Sequence, residues 1–145
     1  RIFSIYEGTT QLQVVAAIRY ISYGTMLNNI KDMAAAEVSE ALQPLKARVE
    51  KLIPVYEAAL NRVKDLNNQD AHDFLARRLY DMTCEIVMSL LILDDATRAP
   101  ELFTKSANVY VRMTEEDVLG KAAYIQNFQV EDLASFRAAE ESAAE

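Results

Sequence analysis

One uninterrupted helical pattern near the middle of the chain decides the fold. Residues 70–100 read DAHDFLARRLYDMTCEIVMSLLILDDATRAP. Apolar side chains recur at helical spacing, the charged ones fall largely on the other side, and the last turns are apolar almost all round. Such a helix is usually central in a bundle, and Pro100 marks its exit, because the residue before a proline disfavours helix. Its apolar face consists of Leu75, Leu79, Met82, Ile86, Leu90 and Leu93.

A second sustained stripe precedes this helix. Pro44 suits the first turn of a helix, and Asn67 with Asn68 closes the element. Pro54 lies inside it and removes a backbone donor, so we expect a kink over 50–54 rather than a helix end. The stripe consists of Leu45, Val49, Leu52, Tyr56, Leu60, Val63 and Leu66.

The remaining segments also carry helical patterns. Thr9 and Thr10 are good N-cap residues for a first helix, and Gly24 offers its C-cap. Thr25 then suits the cap of a segment over 26–38, although one bent helix fits the pattern equally well. Beyond Pro100 a further helix is expected over about 101–127, with a local break considered at 114–117.

Composition supports an all-α fold. The 145 residues include only 3 Gly and 3 Pro, and 51% are apolar. We therefore predict an antiparallel helical bundle of four to five helices, with residues 138–145 as a frayed tail. The net charge of −7 disfavours nucleic acid as a partner, and no apolar run approaches the roughly 20 residues of a membrane span.

The single cysteine and the start of the chain indicate where the protein is located and whether the chain is part of a longer one. Cys84 cannot form an intramolecular disulfide, and no secretory signal precedes the first helix, so a cytoplasmic location is expected. The chain opens on Arg1 and runs directly into a dense motif. It is therefore expected to be a piece of a longer protein.

That motif is where residue identity exceeds what packing requires. Residues 1–13 read RIFSIYEGTTQLQ. Glu7 is a candidate base, because a carboxylate beside apolar neighbours is partly desolvated, which raises its pKa towards the range useful for proton abstraction. A carboxylate just before a helix also complements the helix dipole or faces solvent, and Thr9, Thr10 and Gln11 also suit plain capping. Both interpretations stay open on these residues alone.

The whole string resembles the signature near the C-terminus of acyl-CoA dehydrogenases. Their pattern is R-I-x-x-I-Y-E-G-T-x-x-[IL]-Q, and residues 1–13 match it at every specified position. The resemblance implies an enzyme that oxidises an acyl-CoA thioester to the trans-2-enoyl-CoA. Glu7 would remove the α proton, Gly8 would pass close to the substrate, and Thr9, Thr10 and Gln11 would contact FAD.

The resemblance also implies a domain organisation and partners for the longer protein. Residues 1–24 would end the catalytic core, and residues 25–137 would form the extra helical domain found in dimeric members of the family. An electron-transfer flavoprotein would accept the electrons, a homodimer is expected, and the piece would be inactive alone. The alternative is a non-catalytic helical-bundle interaction or oligomerisation module whose opening motif is a remnant or a coincidence of capping chemistry.

Four other groups of residues could carry chemistry. His72 is the only histidine, and since no second His or Cys stands at ligand spacing, an exposed first-turn residue is expected rather than a metal ligand. Cys84 has no nearby basic partner, which indicates a buried and inert thiol. The tyrosines at apolar helix positions are expected to pack in the core or in an interface. The acidic runs 94–95 and 115–117 are expected to be helix-terminal or solvated.

Overall fold

A computed structural model describes residues 10–134; within them, the side chains at 10–13, 15 and 19 are not described. The described part contains no strand, and its five α-helices are joined by short connections. They are α1 (Thr10–Ser22), α2 (Thr25–Ala34), α3 (Gln43–Asp65), α4 (Gln69–Arg98) and α5 (Pro100–Asn127), with a 3-10 turn at Glu40–Leu42 before α3. The predicted all-α fold is confirmed.

Helix α4 is the centre of the bundle, as its sequence predicts. It packs against α1, α2, α3 and α5. Leu75, Leu79, Met82 and Ile86 have no exposed surface, and Leu93 is equally enclosed. Because its apolar side chains extend round most of its circumference, α4 can pack against several neighbouring helices at once.

Helix α3 buries the predicted stripe from Leu45 to Val63, whereas Leu66 lies just beyond the helix end and is only partly buried. Pro44 occupies the first turn, where a missing backbone donor costs little. The helix continues through Pro54, which faces solvent. The expected kink at this proline stays a prediction.

The turns use residues suited to left-handed backbone. Gly24 has φ 83° and separates α1 from α2, which decides against one bent helix. Asn67 has φ 45°, and the Asn68 side chain accepts a hydrogen bond from the Ala71 amide at the start of α4. The predicted capping role of Thr25 is wrong, because Thr25 is already the first residue of α2 and Gly24 holds the cap position without a side-chain bond.

Two boundaries differ from the prediction. Helix α2 ends at Ala34, not Val38, and its last turn is closed by the backbone amides of Ala35 and Ala36. Helix α5 runs through 114–117 without a break. Thr114 is buried there, and its hydroxyl lies 3.0 Å from that of Ser89. This buried polar group in the middle of α5 therefore has a hydrogen-bond partner on α4. The predicted tail, 138–145, lies outside the described residues.

Candidate functional site

The residues predicted to carry chemistry lie at the edge of the described structure. Glu7, Gly8 and Thr9 fall outside the described residues. Thr10 is the first residue of α1 and Gln11 the second, but their side chains also lie outside the description. The structure therefore describes α1, the helix in which the motif ends, and the packing of that helix.

Helix α1 is held firmly against α4 by an apolar face. Val14, Ile18 and Ile21 are buried at helical spacing, with 0%, 5% and 1% of their surface exposed. Because residues 10–13, the last part of the motif, form the first turn of α1, the packing of α1 positions their backbone on the bundle.

A polar link fastens the other end of α1. The Ser22 hydroxyl lies 2.8 Å from His72 Nε2, and His72 Nδ1 lies 3.2 Å from Asp73 Oδ1. The expected exposure of His72 is wrong: only 24% of its side chain is exposed, because α1 covers it. Serine, histidine and aspartate in this order resemble a nucleophilic triad. However, Asp73 is 65% exposed and already accepts a hydrogen bond from Gln69, so we assign the link a structural role.

Two tyrosines at the end of α1 do not pack in the described core, which leaves the interface half of the prediction open. Tyr20 and Tyr23 are 66% and 82% exposed. An aromatic ring with a polar tip is equally suited to a core and to an interface, so the sequence pattern alone did not separate the two. Within the described residues these rings are an exposed aromatic surface at the end of α1.

A second cluster of titratable groups lies between α4 and α5. Lys121 Nζ is 2.8 Å from Glu85 Oε1, whereas Glu85 Oε2 is buried without a hydrogen-bond partner. Burial raises the pKa of Glu85 above its ordinary value of 4.5, and Lys121 partly offsets the rise. Burial likewise raises the pKa of the neighbouring Cys84. This thiol is half-buried rather than buried, and because a raised pKa keeps it protonated it is a poor nucleophile, as its sequence predicts.

The acidic runs differ in their surroundings. Asp94 pairs with Arg98 at 2.7 Å near the end of α4, in line with the prediction. Glu115 lies in the middle of α5 and pairs with Arg48 of α3 at 2.6 Å. For Glu115 the prediction of helix-terminal or solvated charge is therefore wrong, since it joins two helices.

An apolar cavity of about 290 Å³ opens where the segment after α2 meets α3 and α4. Met33, Val38 and Leu90 contribute apolar walls, and Lys46 and Arg98 lie among the residues around it. Both cations are already engaged, Lys46 by the Ala36 carbonyl at 2.7 Å and Arg98 by Asp94. Neither cation is therefore free to orient an anionic ligand in the cavity.

Among the described residues, no three His, Cys, Asp or Glu side chains are grouped so that they could hold a metal ion. No helix in that part of the chain is both long and apolar enough to cross a membrane.

A protein-family model described as "Acyl-CoA dehydrogenase C terminal" matches residues 22–133, which is well over half of the chain. The chain belongs to the acyl-CoA dehydrogenase family. Enzymes of this family generally depend on FAD. The range that matches this acyl-CoA dehydrogenase model is the helical bundle from the end of α1 onward, and the motif in residues 1–13 precedes it.

A solved structure gives the same assignment. The crystal structure of an acyl-CoA dehydrogenase family protein from Porphyromonas gingivalis is 32% identical, with a TM-score of 0.72. The match covers 79% of this chain and 98% of the solved chain. That chain therefore contains little beyond the matching part. The comparison with curated proteins gave no match.

Several contacts around α4 were not predicted from the sequence. Ser22 and His72 are 50 residues apart, and Glu85 and Lys121 are 36 apart. A polar residue on an otherwise apolar helix face, such as Ser22 beside Ile18 and Ile21, is the one sequence signal that pointed to a buried partner.

Proposed function

We propose that this chain is the C-terminal part of an FAD-dependent acyl-CoA dehydrogenase, which oxidises an acyl-CoA thioester to the trans-2-enoyl-CoA with Glu7 as its base. The observation that carries this proposal is the match to the family model over residues 22–133, preceded eight residues earlier by a complete match to the family's motif in residues 1–13. Neither segment supports it as strongly alone, since a short motif recurs by chance and a helical bundle serves many functions.

Glu7 would begin the reaction. Its carboxylate would take the α proton of the thioester, and FAD would supply the acceptor for the β hydrogen as hydride. The backbone N–H of Glu7 donates to the thioester carbonyl, which stabilises the negative charge that develops on that oxygen and so lowers the pKa of the α carbon. Gly8 has no side chain, which lets the backbone approach the thioester closely.

The cofactor contacts would come from the start of α1. FAD, when bound in the parent enzyme, supplies the acceptor of the hydride. Thr9, Thr10 and Gln11 offer two hydroxyls and an amide beside the unsatisfied backbone donors of a helix N-terminus, and this set of donors suits a dinucleotide. The burial of Val14, Ile18 and Ile21 against α4 supports a fixed position for these residues.

The bundle itself would be a scaffold rather than a source of chemistry. Tyr20 near the end of α1 and Tyr23 just after it are exposed, and we expect them to pack against the part of the enzyme that lies outside this chain. We propose residues 1–24 as the end of the catalytic core and 25–137 as the added helical domain, inactive without the core. An electron-transfer flavoprotein as electron acceptor, a homodimeric parent and a cytoplasmic location belong to the same proposal.

A non-catalytic interaction module is the second candidate. The family model matches only from residue 22 onward, so the matched range itself contains none of the proposed site residues, and this observation favours the alternative. The full-length parent separates the two. We expect it to carry FAD, whose absorbance is bleached by acyl-CoA thioesters, and the response across short, medium and long acyl chains identifies the substrate class. A parent without flavin would support the interaction module instead.

A further inference from the structure

Helix α1 lies at the edge of the bundle and is held along one side. It packs mainly against α4 and α2. Val14, Ile18 and Ile21 are buried on that side, whereas Ala16 and Tyr20 on the opposite side of the helix are exposed. Apolar burial holds a helix against its neighbour without favouring a direction, because the hydrophobic effect is non-directional. A directional contact therefore adds to how sharply the rotation of α1 about its axis is fixed.

The hydrogen bond between Ser22 and His72 is such a contact. The Ser22 hydroxyl lies 2.8 Å from His72 Nε2, and His72 Nδ1 lies 3.2 Å from Asp73 Oδ1. Because an ionised carboxylate can only accept, Nδ1 carries the proton, and the neutral ring presents Nε2 as the acceptor for the Ser22 hydroxyl. Asp73 also accepts a hydrogen bond from Gln69 at 2.8 Å. The imidazole is thus oriented from the start of α4.

A contact at the end of a rigid helix also controls its beginning. A rotation about the helix axis, or a shift along it, moves every residue of the helix by the same amount. Ser22 and Thr10 belong to the same unbroken helix, and a rise of about 1.5 Å per residue places them about 18 Å apart along its axis. The bond at Ser22 therefore limits rotation and sliding of the first turn, which contains Thr10 and Gln11.

We propose that His72 is a positioning residue for the cofactor: its bond to Ser22 fixes the rotation and axial position of α1, and with them the FAD contacts of Thr10 and Gln11. This role rests on the proposed function, in which Thr10 and Gln11 contact FAD. His72 acts through α1 rather than by contact with the cofactor. Since a misplacement of about 1 Å in a site can cost about 10²-fold in rate, a small movement of α1 has a measurable effect.

The affinity of the full-length parent for FAD tests this role without turnover. We expect His72→Ala to raise the dissociation constant of FAD roughly tenfold, and to slow flavin reduction in the FAD-saturated enzyme by a similar factor. His72→Gln should stay within about twofold of the unmodified parent, since its amide can bond to Ser22 in place of Nε2. Ser22→Ala should match His72→Ala, and the double variant should be no worse than either, because both changes remove the same bond.

Thr114→Val is the matched control for lost stability. It removes the buried hydrogen bond to Ser89 between α4 and α5, whereas α1 packs mainly against α4 and α2. We expect this variant to unfold at a lower temperature than the unmodified parent but to bind FAD with unchanged affinity. Thermal unfolding of every variant shows whether the losses of stability are comparable.

Equal FAD affinity in His72→Ala and in the unmodified parent overturns the positioning role. An equal loss in Thr114→Val also overturns it, because the effect would then reflect general destabilisation, and so do additive losses in the double variant. A parent that binds no FAD overturns the proposed function and the positioning role together. A parent that binds FAD and is bleached by acyl-CoA, but whose His72→Ala variant is unchanged, contradicts the positioning role alone.

Discussion

The Ser22 hydroxyl lies 2.8 Å from His72 Nε2 and joins the end of α1 to the start of α4. This bond links the helix that follows the proposed catalytic loop to the central helix of the bundle. Since the rest of the α1 contact is apolar and non-directional, the bond contributes orientation as well as stability.

Replacing Ser22 by Ala should loosen α1 selectively. We expect a loss of about 1 kcal/mol in the free energy of unfolding, because one partly buried hydrogen bond is removed. Amide hydrogen exchange should become faster in α1 than in α3. Thr25→Ala is the matched control, since Thr25 is exposed and has no side-chain capping bond. Equal protection of α1 in Ser22→Ala and in the unmodified chain would show that the bond does not hold the helix.

The hydroxyls of Tyr56 and Thr83 lie 2.9 Å apart in the core between α3 and α4. Thr83→Val should cost about 1–3 kcal/mol, because the Tyr56 hydroxyl is left buried without this partner. The double variant Tyr56→Phe with Thr83→Val should recover much of that loss, since both polar groups are then removed. Urea unfolding of the single and double variants checks this, and strictly additive losses would contradict it.

The Glu85–Lys121 pair predicts a pH-dependent effect. Burial raises the pKa of Glu85 in the folded state above its ordinary value of 4.5. Protonated Glu85 therefore stabilises the fold, and this stabilisation is lost as the pH rises from 4.5 through the raised pKa. Lys121→Met removes the cation that offsets the cost of burying the ionised Glu85 carboxylate.

We therefore expect Lys121→Met to destabilise the fold more at about pH 7 than at about pH 4. At neutral pH the loss should lie between the roughly 1 kcal/mol of an exposed pair and the roughly 3–5 kcal/mol of a buried one. Thermal unfolding at both pH values measures it, with Lys64→Met, exposed on α3, as the control. A loss that is the same at both values, or larger at low pH, would be inconsistent with a buried Glu85.

Core packing on α4 is tested by Leu79, which has no exposed surface. Leu79→Ala should cost about 2–5 kcal/mol in the free energy of unfolding, through lost apolar burial and the cavity left behind. Leu91→Ala, at a position 44% exposed on the same helix, is the control and should cost far less. Similar losses at the two positions would mean that α4 is not central.

The parts of the fold governed by local pattern could be predicted from the sequence. The stripes of α3 and α4 fixed their buried faces, and Pro44, Asn68 and Pro100 fixed their ends, because each acts through its own backbone geometry. The end of α2 was placed too late because Val38 extends the apolar pattern into a segment that leaves the helix. The break expected at Thr114 is absent because Ser89, on another helix, satisfies its hydroxyl.

Contacts distant in sequence could not be predicted. The exposure of Tyr20 and the partial burial of His72 both depend on which helix lies beside α1, and one sequence does not specify that pairing. The proposed catalytic residues are the opposite case, because sequence did point to them. Glu7 and Gly8 were singled out by residue identity alone, because their roles depend on chemistry that packing does not require.

The assignment of Glu7 as the base is tested most directly by the rate of flavin reduction in the full-length parent on rapid mixing with acyl-CoA. We expect Glu7→Gln to retain FAD and fold normally but to reduce its flavin about 10²–10⁴ times more slowly, since the amide cannot accept the α proton. The control Glu40→Gln, at an exposed position, should behave as the unmodified enzyme. A Glu7→Gln enzyme that holds FAD and is reduced at the normal rate would contradict the assignment.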